Sequence, residues 1–192
     1  PMGRLSSQGR EDLMSTTGYI FGGPDRSGKT TIAKALASTI GAQYYKNENQ
    51  REFFEKRPNE FKLLTEYQAP SFVHFLEDVT IPGGVVIDRF TPCEFAYSAA
   101  YQRNTNVPLI MDVDWRLAQL GFIFVLCFKT EYPDWDDDLV AKDKVESLIY
   151  NYLRYAQITS MQFVILDTTN RDLQAQLATI FNKRVYVATG GK

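Results

Sequence analysis

Short apolar runs alternate with helically spaced apolar positions along most of the chain. Gly18 to Phe21 reads as a first strand, followed by a glycine-rich turn. Lys29 to Ile40 then places Ile32, Ala35, Leu36 and Ile40 at helical spacing and stops at Gly41. Ala42 to Tyr45 is a second strand. Residues 60–78 look helical but carry Pro70, so the pattern predicts two helices or a kink there. Gly84 to Asp88 is a buried strand ending in a carboxylate, and Pro92 to Tyr101 and Asp112 to Leu120 are helical. Phe122 to Phe128 is a continuous apolar run, as a parallel strand covered on both faces requires. Lys142 to Ile158 is a strongly amphipathic helix, Phe163 to Leu166 a last strand and Arg171 to Phe181 a last helix. This alternation predicts a three-layer α/β fold with a parallel sheet of about five strands flanked by helices. In such a fold ligands belong at the carboxyl ends of the strands.

The length of 192 residues fits one domain, expected over 18–184. Residues 1–17 are polar and aperiodic and read as a disordered or vector-derived arm, with native sequence starting near Met14; 185–192 read as a flexible tail. An aromatic share of 14% excludes a disordered chain. No apolar run reaches the ~18 residues of a membrane helix, and no signal-peptide pattern opens the chain, so no membrane association is expected. Cys93 and Cys127 form no metal-ligand spacing, which points to a reducing, cytoplasmic setting. With 21 Lys and Arg against 23 Asp and Glu, the net charge of −2 removes the broad basic field of a general nucleic-acid binder and leaves room for a local basic groove.

The strongest chemical signal is Gly23-Pro24-Asp25-Arg26-Ser27-Gly28-Lys29-Thr30, a complete G-x-x-x-x-G-K-[ST] between a strand and a helix. Glycines let the backbone wrap a phosphate chain with its N–H groups inward, and the helix starting at Lys29 adds its positive dipole end. The Lys29 ammonium reaches the β and γ phosphates, and the Thr30 hydroxyl can ligate Mg2+. Together with Thr31, the loop predicts a nucleoside triphosphate site, ATP with Mg2+. Asp88, at the tip of a buried strand beside this loop, is placed to hold the Mg2+ directly or through water, or more simply to cap the next helix. Arg89 and Phe90 follow it. The water-activating glutamate that hydrolytic ATPases put there is absent, which favours transfer to an acceptor over hydrolysis.

The loop, with Thr31, and the run Asp88-Arg89-Phe90-Thr91-Pro92-Cys93-Glu94-Phe95-Ala96-Tyr97-Ser98 together resemble the thymidylate kinase and deoxynucleoside kinase superfamily. That family's loop reads G-P-D-G-S-G-K-T-T, so Arg26 stands for a glycine. Its second motif reads D-R-Y-x-x-S-x-x-A-Y-Q. Asp88, Arg89, Ala96 and Tyr97 match in register, Phe90 is conservative, and Cys93 and Ser98 depart. The resemblance implies the P-loop kinase fold with a short lid, extending more weakly over about residues 18–184. It makes Asp88 the Mg2+ or base residue and Arg89 the clamp on the acceptor's phosphate or 5′ oxygen, and lays Tyr97 against the acceptor sugar. Phe72 and Gln68 would stack on and hydrogen-bond the acceptor base, although core packing serves Phe72 equally well. Glu48 would accept the acceptor's hydroxyl proton, and Lys46 would bind a monophosphate acceptor; a solvated loop is the plainer reading of both. Thr168 and Thr169 lie where this fold holds adenine.

The lid segment departs from the family. Lys129 to Lys144 carries Asp134 and Asp136 to Asp138 and no arginine, leaving Lys142 and Lys144 to neutralise transferring phosphate, with Arg154 further along the helix. His74 and Cys93 read as packing or surface residues, and Tyr150, Tyr152 and Tyr155 as core and flank.

Three readings follow from the resemblance. The first is Mg-ATP-dependent phosphorylation of a pyrimidine deoxynucleoside or its monophosphate. The second is phosphorylation of 5-hydroxymethyluracil within DNA by a phage-encoded enzyme in the host cytoplasm; the near-neutral charge argues against it. The third is a non-catalytic nucleotide-binding protein. Relatives commonly dimerise through helices flanking the sheet, which makes a homodimer the corresponding expectation.

Overall fold

A computed structural model describes residues 18–47, 61–132, 142–170 and 172–182, with backbone alone for 61–65 and 142–143. In chain order the elements are β1 (Gly18–Gly22), α1 (Lys29–Ile40), β2 (Gln43–Lys46), α2 (Phe61–Asp78), β3 (Val85–Asp88), α3 (Thr91–Ala100), α4 (Val107–Gln119), β4 (Ile123–Phe128), α5 (Lys142–Ile158), β5 (Gln162–Asp167) and α6 (Leu173–Phe181). The five strands are all parallel, in the order β2-β3-β1-β4-β5. Each carboxyl end therefore faces the same edge, and β1 and β3 lie side by side with Phe21 opposite Asp88.

The two-residue period of the strands sorts the core into two layers. Ile20, Ile87, Phe124 and Leu126 meet α2, α3, α4 and α5 through residues such as Val73, Phe95, Val113 and Tyr155. Tyr19, Phe21, Val86, Val125 and Cys127 point the other way, onto α1 and α6 through Ile32, Leu36, Leu177 and Ile180. The central strands are thus covered on both faces, as the apolar run at 122–128 requires. No helix among the described residues is long and apolar enough to cross a membrane.

Some boundaries differ from the sequence pattern for identifiable reasons. The stretch around Pro70 is a single helix rather than two. Ala69, Val73 and Leu76 bury one face against the sheet on both sides of the proline, and the Ser71 hydroxyl donates to the Tyr67 carbonyl at 2.8 Å. That packing outweighs the hydrogen bond a proline removes, a loss of about 3 kcal/mol. Helix α4 starts at Val107 rather than Asp112, because the Asn106 side chain accepts from the Leu109 N–H and Pro108 fits the first turn. Helix α6 starts at Leu173 rather than Arg171, with the Asp172 carboxylate accepting from the Gln174 and Ala175 N–H groups at 3.1 Å.

Candidate active site

The loop of residues 23–30 carries the chain from the end of β1 into α1. Gly23 has φ 144°, and a Cβ there would lie 2.0 Å from the Cys127 carbonyl oxygen, so the close approach of loop and β4 admits no side chain. Gly28 is left-handed and precedes α1 without any side-chain cap, and the first turn carries no acidic residue. Helices α4 and α6, in contrast, are both capped by side chains. The amino end of α1 is thus built for an anion to take the cap's place.

Lys29 is buried and its ammonium donates to the Pro24 carbonyl at 3.0 Å, with Asp25 Oδ1 3.5 Å away. Burial holds its pKa below the ordinary lysine value. The Thr30 hydroxyl donates to Asp88 Oδ2 at 2.6 Å, and the Tyr44 hydroxyl donates to the same oxygen at 2.9 Å. Asp88 is fully buried, and its Oδ1 has no hydrogen-bond partner. A buried carboxylate oxygen without a donor is costly unless a cation or ligand meets it. Asp88 and Thr30 supply hard oxygen donors side by side, which suits Mg2+ sharing its shell with phosphate oxygens. No group of three or more His, Cys, Asp or Glu forms a cation site among the described residues.

Asp25 joins this phosphate side to a second cation. The Arg89 guanidinium donates to Asp25 Oδ1, the Tyr97 hydroxyl donates to Oδ2 at 3.0 Å, and Arg89 lies 5.8 Å from the Tyr97 ring centroid. Burial pushes the Tyr97 hydroxyl up to about 12, which keeps it a donor at neutral pH. Arg26 and Arg89 are both left-handed, with φ 62° and 69°, each costing on the order of 1 kcal/mol for a side-chain-bearing residue. Arg89 meets the Asp25 carboxylate, and Arg26 follows Asp25 in the loop.

The loop is held from both sides. The Thr168 hydroxyl, past β5, donates to the Ser27 carbonyl at 2.6 Å and lies 2.8 Å from the Phe128 carbonyl. The Tyr152 hydroxyl of α5 donates to the Gly23 carbonyl at 3.3 Å. Beside the loop lies a cleft of about 300 Å³, with Gly28, Thr31 and Ile32 on one wall and Lys129, Thr168, Leu173 and Gln176 on the other.

No family model matches this sequence, and no curated protein matches it. Solved structures do match. The YorR protein of Bacillus subtilis, in complex with phosphorylated GDP, superposes with a TM-score of 0.59 at 14% identity over 86% of this chain and 93% of that one. Thymidylate kinase from Candida albicans gives 0.57 at 15% identity, covering 90% and 97%. Deoxyadenosine kinase from M. mycoides with bound dATP gives 0.57 at 14% identity, covering 86% and 97%. The chain has the P-loop kinase fold.

Within the P-loop kinase fold, the predicted residues fall into two groups. Lys29, Thr30, Asp88, Arg89, Asp25 and Tyr97 converge at the carboxyl ends of β1 and β3. Ser27 is buried, whereas Arg26 and Thr31 are exposed. Lys46 is exposed at the end of β2, in register with Asp88, and the Asn47 N–H donates to the Asp88 carbonyl at 3.0 Å. Phe72 stacks on Tyr45 with centroids 4.5 Å apart and meets Phe90 edge-on at 5.7 Å, so it bridges core and surface, while Gln68 is exposed on the same helix. Glu48, the acidic lid segment over 133–141 and the Lys142 side chain lie outside the described residues. Lys144 is half-buried early in α5, and the Arg154 guanidinium lies 6.0 Å from the Tyr150 ring. Of the threonine pair, Thr168 lines the cleft; the Thr169 hydroxyl instead donates to Asp167 and pairs with Thr130. His74 is exposed beside Glu77 and Asp78, and Cys93 is buried. The Ser98 hydroxyl donates to the buried Glu94 carboxylate.

Sequence reasoning misses Tyr44 and Tyr152, because each reaches the site through one hydroxyl from a position that reads as strand or helix core. It also misses Asp25 as the tie to Arg89 and Tyr97, since their separations of 64 and 72 residues leave no local trace.

Proposed function

We propose that this protein is a Mg2+-dependent phosphotransferase that passes the γ-phosphoryl group of a nucleoside triphosphate, ATP by family resemblance, to a pyrimidine deoxynucleoside or its monophosphate. The observation that carries the reading is the meeting of Lys29, Arg89 and Tyr97 at a single carboxylate, Asp25, in a loop whose Thr30 hydroxyl donates to Asp88. One side has the donors of a triphosphate site; the other has a guanidinium and an aromatic hydroxyl suited to an acceptor phosphate and sugar.

In this reading the loop's N–H groups and Lys29 hold the donor phosphates, and Thr30 with Asp88 holds Mg2+, which when bound neutralises charge on the β and γ phosphates. An arriving phosphate draws Lys29 from Pro24 and Asp25. Arg89 orients the acceptor oxygen, and a monophosphate acceptor needs no strong base because it is already anionic. Glu48 is the proton acceptor for a nucleoside acceptor. Arg26, exposed on the crest of the loop, supplies the transition-state cation that the lid sequence lacks, alongside Lys142 and Lys144. The Tyr45–Phe72 stack beside Phe90 offers an aromatic shelf for the acceptor base, with Gln68 at its edge.

The test is transfer of labelled γ-phosphate from the Mg2+-nucleotide to a panel of nucleosides, monophosphates and duplex DNA with normal or hydroxymethylated pyrimidines. Label on a free pyrimidine deoxynucleoside or monophosphate supports the reading, and label only on modified DNA replaces it with a DNA-base kinase.

A further inference from the structure

Tyr44 lies outside both motifs, yet its hydroxyl ends on the buried Asp88 carboxylate. Strand register explains how it gets there. Tyr44 pairs with Val86 and Lys46 with Asp88, so the two-residue period turns Tyr44, Val86 and Asp88 to one face of the sheet, the face that α1 covers. On α1, Thr30 and Lys34 stand one turn apart. The Thr30 hydroxyl donates to Asp88 Oδ2 at 2.6 Å, and the Lys34 ammonium lies 5.5 Å from the centre of the Tyr44 ring. That half-buried ring also packs against the apolar layer beneath α1. A phenylalanine would serve this packing equally well. What the hydroxyl adds is its 2.9 Å bond to Asp88 Oδ2.

The bond has a directional consequence. An aspartate carboxylate turns about its last torsion with a broad, two-fold preference, so its two oxygens exchange unless something fixes them. Here both donors, Thr30 and Tyr44, meet Oδ2, and Oδ1 is left without a partner. Thr30 is itself an oxygen offered to Mg2+, so its bond answers to the metal. The Tyr44 hydroxyl comes from a different strand and does not. Hydrogen bonds that orient a metal-binding carboxylate support its affinity, and their loss costs roughly 10–100-fold.

Resting on the phosphotransferase reading above, we infer that Tyr44 is a positioning residue for the Mg2+ site, its hydroxyl fixing Asp88 Oδ2 and thereby aiming Oδ1 at the metal that accompanies the nucleotide. It acts through Asp88 and not on the nucleotide.

The experiment is equilibrium binding of fluorescent N-methylanthraniloyl-ATP to the full chain, in Mg2+ and in EDTA, with no acceptor present and folding confirmed by thermal melting. Tyr44→Phe keeps the ring and removes the hydroxyl. It should weaken binding about tenfold in Mg2+ and leave binding in EDTA within about twofold of wild type. In an Asp88→Asn background the same change should have no further effect, because the carboxylate it aims is gone. Equal weakening in Mg2+ and EDTA overturns the assignment, as does an unaltered metal response or an additive loss in the double variant. Each of these leaves the phosphotransferase reading standing. Folded wild-type protein that binds no nucleotide, or binds it without regard to Mg2+, overturns both.

Discussion

Arg26 and Arg89 both hold left-handed backbones, and each has a different task. Arg89 is tied to Asp25, whereas Arg26 is exposed at the loop crest. Arg26→Gly restores the residue the conformation prefers, so the variant should fold at least as well. Its turnover should fall by about 10²–10³-fold if Arg26 meets developing charge, with nucleotide affinity changed only a few-fold. Steady-state kinetics paired with a binding titration separates the two. Asp88 makes a second prediction. Its unpartnered Oδ1 is the oxygen offered to Mg2+, so wild-type nucleotide binding should weaken when EDTA removes the metal. In Asp88→Asn that metal dependence should largely vanish, as calorimetric titration with and without Mg2+ would read.

The elements that mattered most for function were legible because their signals are local. The loop is one contiguous motif, and α1 and α5 run over the spans their apolar spacing predicts. Strand β3 was recognisable from Val85-Val86-Ile87 and its terminal carboxylate. What escaped depends on partners far away in sequence. The early start of α4 rests on one asparagine cap, and continuity through Pro70 rests on burial of α2. The clearest such case is Asp114 on α4, fully buried without touching the phosphate loop. It accepts from the Tyr155 and Thr159 hydroxyls at 2.5 Å and from the Ser160 N–H at 2.6 Å, locking the end of α5 and the approach to β5. Asp114→Ala should cost about 3 kcal/mol or more, because it strands three buried or part-buried donors. Urea unfolding should show the lowered midpoint, and added nucleotide should recover part of it through binding.

Across the whole molecule, parallel strand order brings the tips of β1 and β3 together and sets a buried lysine beneath them. Desolvation depresses the Lys29 pKa below 10.5, so the folded state holds this proton less tightly than the unfolded chain. The resulting destabilisation is complete below the folded pKa. It fades as pH rises through the folded pKa towards the unfolded value. Lys29→Met should therefore melt higher than wild type at pH 7 without nucleotide, by about 2–4 °C for each kcal/mol recovered. The two should converge as pH approaches 10.5, and a gap that widened with pH would contradict the burial argument. A fold that accepts this cost keeps a cation where phosphate arrives.

Transfer, as opposed to hydrolysis, is the central claim, and it is tested most directly by following loss of γ-phosphate from Mg2+-nucleotide with and without a pyrimidine deoxynucleoside or its monophosphate. Arg89 and Tyr97 stand beside Asp25 on the side proposed for the acceptor, and Arg89 itself occupies the position directly after Asp88 where hydrolytic enzymes carry glutamate. The expected result is slow loss alone and acceleration by the acceptor, with label recovered on it and both signals abolished in Asp88→Ala. Rapid phosphate release that ignores every acceptor would contradict the account.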